Sequence, residues 1–552
     1  MGKWFKSGSP WIWMTGGAVS ISLIAVIGLL LLIASRGLSY FWPAEIYQWE
    51  LVDQQGVRST LIGEIYDREE VPTERLISAG HKFNQHPGEM VTRYLVKTGN
   101  REFVGLDFRW ILATDIVSRT TPIELAKLER AKNGDFYGYP VAIIEDGKRL
   151  TLDNDHLEAS FEEHIERAVA LSDKAVSLQK GDIGSVNYQL EHLRLKERGF
   201  ELDNALTDAR KKQLDAERAK LQADYQEMEK AFFALRQEAA RDSVIIRDMR
   251  GEEVTLPLDS ILDVTYSNHL SLLGKVGHWF KGIGKFVSDD PREANTEGGV
   301  FPAIFGTVFM VMLMAVIVTP FGVIAAVYLH EYAKKGPITK MIRIAVINLA
   351  GVPSIVYGVF GLGFFVYMLG GSLDQLFYPE ALPTPTFGSP GVIWSALTLA
   401  ILTLPVVIVS TEEGLSRIPS SVRQGSLALG ATKAETLWRI ILPMASPAIM
   451  TGLILAVARA AGEVAPLMLV GVVKLAPTLP IDMNFPFVHL ERKFMHLGFH
   501  IYDVGFQSPN VEAARPLVYA TSFLLVTVIV SLNLTAIAVR NHLREKYRSL
   551  EH

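Results

Sequence analysis

The sequence predicts an all-α polytopic membrane protein of six transmembrane helices, with a large α+β insertion between helices 1 and 2. Three observations lead there. Hydrophobic residues make up 49% of the 552 and charged ones 20%, too apolar a balance for an ordinary soluble chain. Six apolar runs are long enough to cross about 30 Å of hydrocarbon, which takes roughly 20 residues. Charge is also segregated: residues 43–300 carry an excess of about twelve acidic charges, and the rest of the chain is basic.

The first run, Ser7 to Ser35, follows Lys3 and Lys6. It is longer than a signal-peptide core, and Ile33-Ala34-Ser35-Arg36 is a poor cleavage site, so it reads as an uncleaved anchor. The other five spans are expected at about 301–329, 344–370, 391–411, 444–473 and 516–539; only the fourth of these contains charge, Arg459 and Glu463. Basic residues near the span ends set orientation. With the N-terminus cytoplasmic, one face collects Lys334, Lys335, Lys340 and Arg343, then Arg417, Arg423, Lys433 and Arg439, then Arg540, Arg544, Lys546 and Arg548. The domain plan is therefore residues 1–36 as cytoplasmic N-terminus and first helix, 37–298 outside, 299–540 as membrane domain and 541–552 as a cytoplasmic tail. Within the membrane domain, 412–443 is a cytoplasmic loop.

The outside segment divides by pattern. Residues 45–155 show short β-type runs punctuated by Thr98-Gly99-Asn100 and Glu145-Asp146-Gly147. From 157 to 242 the spacing is helical, with a break expected near Gln179–Ser185 and one helix from there to Asp242. Leu206, Leu214, Leu221, Met228 and Leu235 form a heptad-like seam, which suits a coiled coil or packing on the segment's own β domain. A β-like tail, 243–264, closes it.

The loop 412–443 is the most informative stretch. Arg423-Gln424-Gly425-Ser426-Leu427-Ala428-Leu429-Gly430-Ala431-Thr432 precedes Ile440-Ile441-Leu442-Pro443. It reads as two short helices broken at Gly430, where a left-handed turn costs little. Pro443 suits the first turn of the next helix, which does not need its missing N–H. This spacing resembles the coupling loop of ABC-importer permeases: a Glu-Ala-Ala triplet, three residues, Gly, nine residues, then Ile-x-Leu-Pro. Gly430, Ile440, Leu442 and Pro443 fit; Gln424-Gly425-Ser426 replaces the triplet, and Ala428 lies between. Val352-Pro353-Ser354-Ile355-Val356-Tyr357-Gly358 and Arg459-Ala460-Ala461-Gly462-Glu463-Val464-Ala465-Pro466-Leu467 narrow the resemblance to phosphate-importer permeases of the A-type (PstA). It covers about residues 300–540 and leaves the outside segment unexplained.

The resemblance implies a type I ABC-importer permease bundle in the bacterial inner (plasma) membrane, with residues 37–298 in the periplasm. It also implies a sister permease (PstC-like), two ATPase subunits (PstB-like) and a periplasmic phosphate-binding protein (PstS-like). No Gly-x-x-x-x-Gly-Lys-Ser/Thr occurs, so ATP is expected on the partner subunit and this chain is expected to be no enzyme and to hold no cofactor. The net charge of −5 gives no basic footprint for nucleic acid.

An arginine inside a span must face protein or water, at a cost of about 2.5–3.5 kcal/mol on insertion scales. Arg459 is thus either a phosphate donor on the pathway, restrained by Glu463 four residues on, or half of a packing ion pair. Asn348 lines the path or bonds a neighbouring helix. The glycines from Gly351 to Gly371 serve close packing or a local unwinding after Gly351-Val352-Pro353. His496 and His500 stand four apart but lack a third ligand; a surface or interface role is expected. His330-Glu331 lacks the second histidine of a zinc peptidase. The other function class that fits is a membrane-anchored sensor or scaffold with a periplasmic coiled coil.

Overall fold

A computed structural model describes residues 8–53, 56–78, 89–150, 154–508 and 511–547. Lys3, Lys6 and Arg548 of the charge pattern lie outside the described residues. The chain forms two compact units: Phe41–Phe286 with Glu297–Gly299, and the remainder. The remainder opens with helix α1, Ser9–Ser39.

The inserted unit holds two antiparallel sheets. The first comprises β1 (Ile46–Val52), β2 (Arg58–Pro72), β3 (Met90–Lys97), β4 (Phe108–Leu112) and β5 (Ile116–Thr120), ordered β4-β3-β2-β1-β5. Ile46, Trp49 and Leu51 of β1 turn inward onto Leu61 and Ile62 of β2. The second sheet begins with β6 (Ala126–Arg130), β7 (Phe136–Glu145) and β8 (Lys148–Leu150). Three helices follow: α2 (Asn154–Leu178), α3 (Gly184–Leu202) and α4 (Asp208–Ala239). The sheet is then completed by β9 (Ser243–Arg247), β10 (Glu253–Pro257) and β11 (Ile261–Thr265), in the order β10-β9-β7-β6-β11. Residues 243–264 are β-structured as expected, and their strands complete this second sheet. Phe161, Ile165 and Ala168 of α2 are buried against Phe136, Ile143, Val244 and Ile246 of that sheet. Between the sheets, Lys97 on β3 and Lys127 on β6 share the Asp135 carboxylate at 2.6 and 3.3 Å. Burial alone would raise that carboxyl; Lys127 and Lys97 hold it well below the usual carboxylate range.

The helical segment differs from expectation in where it breaks. Gly181 and Gly184 do not stop the helix: a π-turn, Gln179–Ile183, carries α2 directly into α3. The chain reverses instead at 203–207, where Asn204 takes a left-handed φ of 51° and the Thr207 hydroxyl caps α4 by accepting from Arg210 N. No single helix runs from 185 to 242. The 32 residues of α4 span about 48 Å and fold back along α3 and α2. Leu214 of the seam is buried, Leu221, Met228 and Leu235 are half-buried, and Leu206 falls in the turn. An Arg218–Glu197 ion pair joins α4 to α3. The last helix of the segment, α5 (Leu272–Ser288), carries three lysines and no acid.

The membrane unit contains α6 (Phe301–Val327), α7 (Pro337–Leu349), α8 (Ser354–Phe360) and α9 (Val392–Arg417), then α10 (Ser420–Ala428), α11 (Lys433–Thr436), α12 (Leu442–Gly462), α13 (Leu497–Tyr502) and α14 (Val511–Tyr547). Six helical stretches among the described residues are long and apolar enough to span a membrane: Trp11–Ser39, Phe301–Tyr332, Ser354–Phe377, Val392–Arg417, Lys433–Gly462 and Ala514–Glu545. Two depart furthest from the expected limits. The run expected at 344–370 is cut at Val352-Pro353, because proline lacks an N–H and disfavours helix at the residue before it. α7 is thus a separate helix, and the span starts at Ser354. The run expected at 444–473 starts eleven residues earlier, at Lys433, and ends at Gly462; Glu463 is already extended (φ −82°, ψ 130°). Pro443 stands in the first turn of α12, as expected, and a π-turn at Leu437–Ile441 joins that helix to the earlier part of the span. The core lies where α6, α9 and α12 meet, through Met310, Met314, Leu399, Leu402, Ala456 and Ala460.

Candidate functional site

The loop between α9 and α12 is a built structure. Ile418 is extended before Pro419, which ends α9 and starts α10. α10 stops at Leu429, and Gly430 follows with φ +86°. Ala431 N returns to Ser426 O, closing the turn. Thr432 and Glu435 then form a reciprocal capping box that starts α11. Ser426 Oγ and Thr436 Oγ1, 2.8 Å apart and buried, pin α10 to α11. Ser426 therefore has an internal structural task, whereas Gln424, Gly425 and Ala428 are exposed. Leu427 and Leu429 are 48% and 91% exposed, an apolar ridge at the end of a short helix. Ile440, Leu442 and Pro443 are half-buried, with Ile440 packing on the cluster of Leu415, Ile418, Leu437 and Ile441.

Three side chains tie this loop to the end of α6. Glu331 Oε1 accepts from Arg423 Nε at 3.0 Å, and Arg423 also donates to Leu415 O and Ile418 O, at 2.7 and 2.8 Å. Lys433 donates to Glu331 O and stands 4.3 Å over the Tyr332 ring. Arg343 on α7 pairs with Glu412 on α9 at 3.1 Å and donates to Leu329 O. These contacts link the loop to the turn that follows α6, and Arg343 links α7 to that turn and to α9.

The second site is at the other end of α12. Arg459 lies three residues before the helix end, and Glu463 caps that end. Their side chains approach at 3.7 Å (Nε to Oε1), with 33% and 21% of each exposed. Arg459 is half-buried on a helix whose Ala456 and Ala460 are buried. Tyr357 of α8 is within electrostatic reach of Arg459, and its hydroxyl donates to Leu349 O at 2.6 Å. Asn348, next to Leu349, is exposed on α7. The structure thus joins Arg459, Glu463 and Tyr357, while Asn348 is linked to them only through the neighbouring carbonyl. A Cβ at Gly358 would come 2.7 Å from Pro466 Cα, and one at Gly361 2.3 Å from Thr398 Oγ1. Close approach of α8 to the segment after Glu463 therefore requires glycine at 358, and close approach of the following turn to α9 requires it at 361.

Residues 318–549 match the family of binding-protein-dependent transport system inner membrane components. The phosphate transport system permease protein PstA 1 of Mycobacterium tuberculosis is 34% identical over 245 residues, 44% of this chain and 71% of that protein. The chain belongs to this permease family, on its PstA branch. A probable ABC transporter permease protein of Bacillus subtilis, YqgI, is 29% identical over 259 residues, 46% of this chain and 81% of that protein. One chain of an inward-facing methionine ABC transporter aligns over 44% of this chain and 95% of its own length, at 16% identity and a TM-score of 0.33, too distant to carry an argument.

Two features of this permease escape the sequence reading. Glu331 is the sole acidic residue between Gly298 and Leu373, a signal that a partner cation exists, but nothing in spacing names Arg423 as that cation. His496 and His500 are buried at 1% and 2% exposure, not surface residues. His496 Nδ1 accepts from Gly498 N at 3.1 Å and so caps α13. Burial pushes both imidazoles down to about 4. No group of metal-ligating residues forms among the described residues.

Proposed function

We propose that this chain is the translocation subunit of an ATP-driven importer of inorganic phosphate, and that α10 with Gly430 docks a separate ATPase. The observation that carries the reading is the loop itself: a short helix ending in an exposed leucine ridge, a left-handed Gly430, and a capped helix leading straight into a spanning helix. An ABC permease must receive force from a subunit it does not contain, and this element offers both a docking surface and a rigid lever. The phosphate assignment is supported by the 34% identical relative named as a phosphate permease.

In this reading residues 1–36 and 299–540 lie in the inner membrane, 412–443 and 541–552 face the cytoplasm, and 37–298 form the periplasmic insertion. The complex adds a PstC-like sister permease, two PstB-like ATPases and a PstS-like phosphate-binding protein. Closure of the ATPases pushes α10; Arg423 and Lys433 pass the movement to Glu331 and α6, while α11 passes it along α12. Arg459, at the far end of α12, offers guanidinium donors to phosphate, and Glu463 keeps that hold short by competing for the same group. Tyr357 and Asn348 complete the lining. The α3–α4 hairpin is a scaffold for protein and not a phosphate site, because its surface carries both charge signs with an acidic balance.

The test is phosphate uptake by proteoliposomes holding the four-subunit complex. ATP-dependent accumulation that needs the binding protein supports the reading; hydrolysis and uptake that respond to another anion but not to phosphate would overturn the cargo.

A further inference from the structure

Helix α5 is amphipathic in a way that neither the permease match, which begins at residue 318, nor its own unit uses. Leu273, Phe280 and Val287 recur every seven residues on one face and are 84%, 63% and 39% exposed, beside Leu272 at 72%. Gly277 and Gly284 share that face, and a Cβ at either would meet nothing within 4 Å. On another side, Lys281 and Lys285 pair with Asp263 at 3.0 and 2.6 Å, and Lys285 with Glu129 at 3.5 Å. The charged edge is thus clamped to the β unit and the apolar face is turned away from it.

We propose that α5 is an interfacial helix that lies in the membrane surface with its Leu273–Phe280–Val287 face among the lipid acyl chains. Several facts select lipid over a protein partner. At 17 residues, about 25 Å, and with three lysines, it is too short and too charged to span. It has lysines with aromatic and leucine residues opposite, and no acid, the composition of helices that lie at the headgroup boundary. The chain tethers it to the bilayer at both ends. Phe41, two residues beyond the end of α1, packs on it: the Phe41 and Phe286 rings are 5.2 Å apart, and Gly282 sits against Phe41. Twelve residues separate Ser288 from Phe301, where the next spanning helix starts. Lys281 borders the apolar face, one residue on from Phe280, where a lysine stem can reach along the acyl boundary and leave its ammonium among headgroups. The inference does not depend on the cargo or on the ATPase.

The protein has no cysteine, so single cysteines can be placed by Leu273→Cys, Phe280→Cys, Val287→Cys and Lys281→Cys and labelled with an environment-sensitive fluorophore. The full-length protein is measured in vesicles of phosphatidylcholine and phosphatidylglycerol, after each variant is shown to elute as wild type. Blue-shifted emission at 273, 280 and 287, quenched by nitroxide lipid but not by iodide, with the reverse at 281, is the expected result. The charged double variant Leu273→Glu with Phe280→Glu should also abolish the lipid quenching at 287. Iodide access at all four positions would overturn the proposal in favour of a solvated helix. Protection of the apolar face from both quenchers would overturn it in favour of a protein partner. Neither failure would touch the transport reading.

Discussion

Glu331→Gln is the sharpest perturbation of the coupling path. The Glu331 and Arg423 side chains are 11% and 20% exposed, and their 3.0 Å contact is charge-assisted. A hydrogen bond between charged groups contributes about 1.5–3 kcal/mol, and removing one member of a fully buried pair costs about 3–5 kcal/mol. Here the lower range applies, because Arg423 keeps the Leu415 and Ile418 carbonyls and is not stranded. About 2 kcal/mol is roughly 30-fold in a two-state population. The variant should insert, assemble and hydrolyse ATP, while phosphate taken up per ATP falls by about an order of magnitude. Uptake and hydrolysis are measured on the same proteoliposomes. Arg423→Lys should be at least as damaging, since one ammonium cannot serve three acceptors in a fixed fork. The double variant Glu331→Gln with Arg423→Gln should cost less than the sum of the single changes. Wild-type uptake per ATP in Glu331→Gln would refute the latch, and so would strict additivity in that cycle.

Gly430→Val should uncouple transport through backbone strain of about 1–2 kcal/mol, since a Cβ there meets nothing within 4 Å; Gly430→Asn, which tolerates left-handed φ, should retain much more uptake. Arg459→Gln should sharply reduce uptake with the complex intact, and recovery in Arg459→Gln with Glu463→Gln would show a packing pair instead. For His496 and His500 the folded form titrates near 4, below the usual 6.5, so the unfolded chain binds more protons between those values. Stability is then complete above about pH 6.5 and lost as pH falls toward 4, by about 3 kcal/mol per imidazole. His496→Asn keeps an acceptor for Gly498 N and should flatten the acid side of a melting-temperature profile; an unchanged profile would exclude His496 as its source. Excising residues 157–242 with a short linker should weaken assembly or binding-protein docking and leave ATPase contacts intact, as read by co-purification; specific phosphate binding to the isolated insertion by calorimetry would overturn the scaffold reading.

The apolar spans were legible because the bilayer demands them of the sequence: twenty-odd residues without charge have few other uses. Their ends were less legible. Val352-Pro353 was expected to bend a span and instead separates two helices, and the charge at Lys433 did not keep the helix from starting there. At both places the outcome depends on whether neighbouring backbone can satisfy the freed polar groups, which local composition does not show. The spacing predicts a break near Gln179–Ser185; the chain instead carries a π-turn there and reverses at Asn204, whose left-handed φ is the stronger stop.

The coupling loop shows why function was easier to read than its wiring. Gly430, Thr432 and Pro419 act within a few residues of themselves, so their spacing is visible in one dimension. Glu331 reaches Arg423 across 92 positions, and Ser426 finds Thr436 only after Gly430 has turned the chain. Ser426 stands where the usual motif has a small apolar residue, and in the folded loop its hydroxyl makes a buried polar contact between α10 and α11. The exposed members of the same triplet, Gln424 and Gly425, are free to answer to a partner. Ser426→Ala would thus test the loop's own rigidity, and Gln424→Ala its grip on the ATPase, two effects that the triplet as a unit would confound.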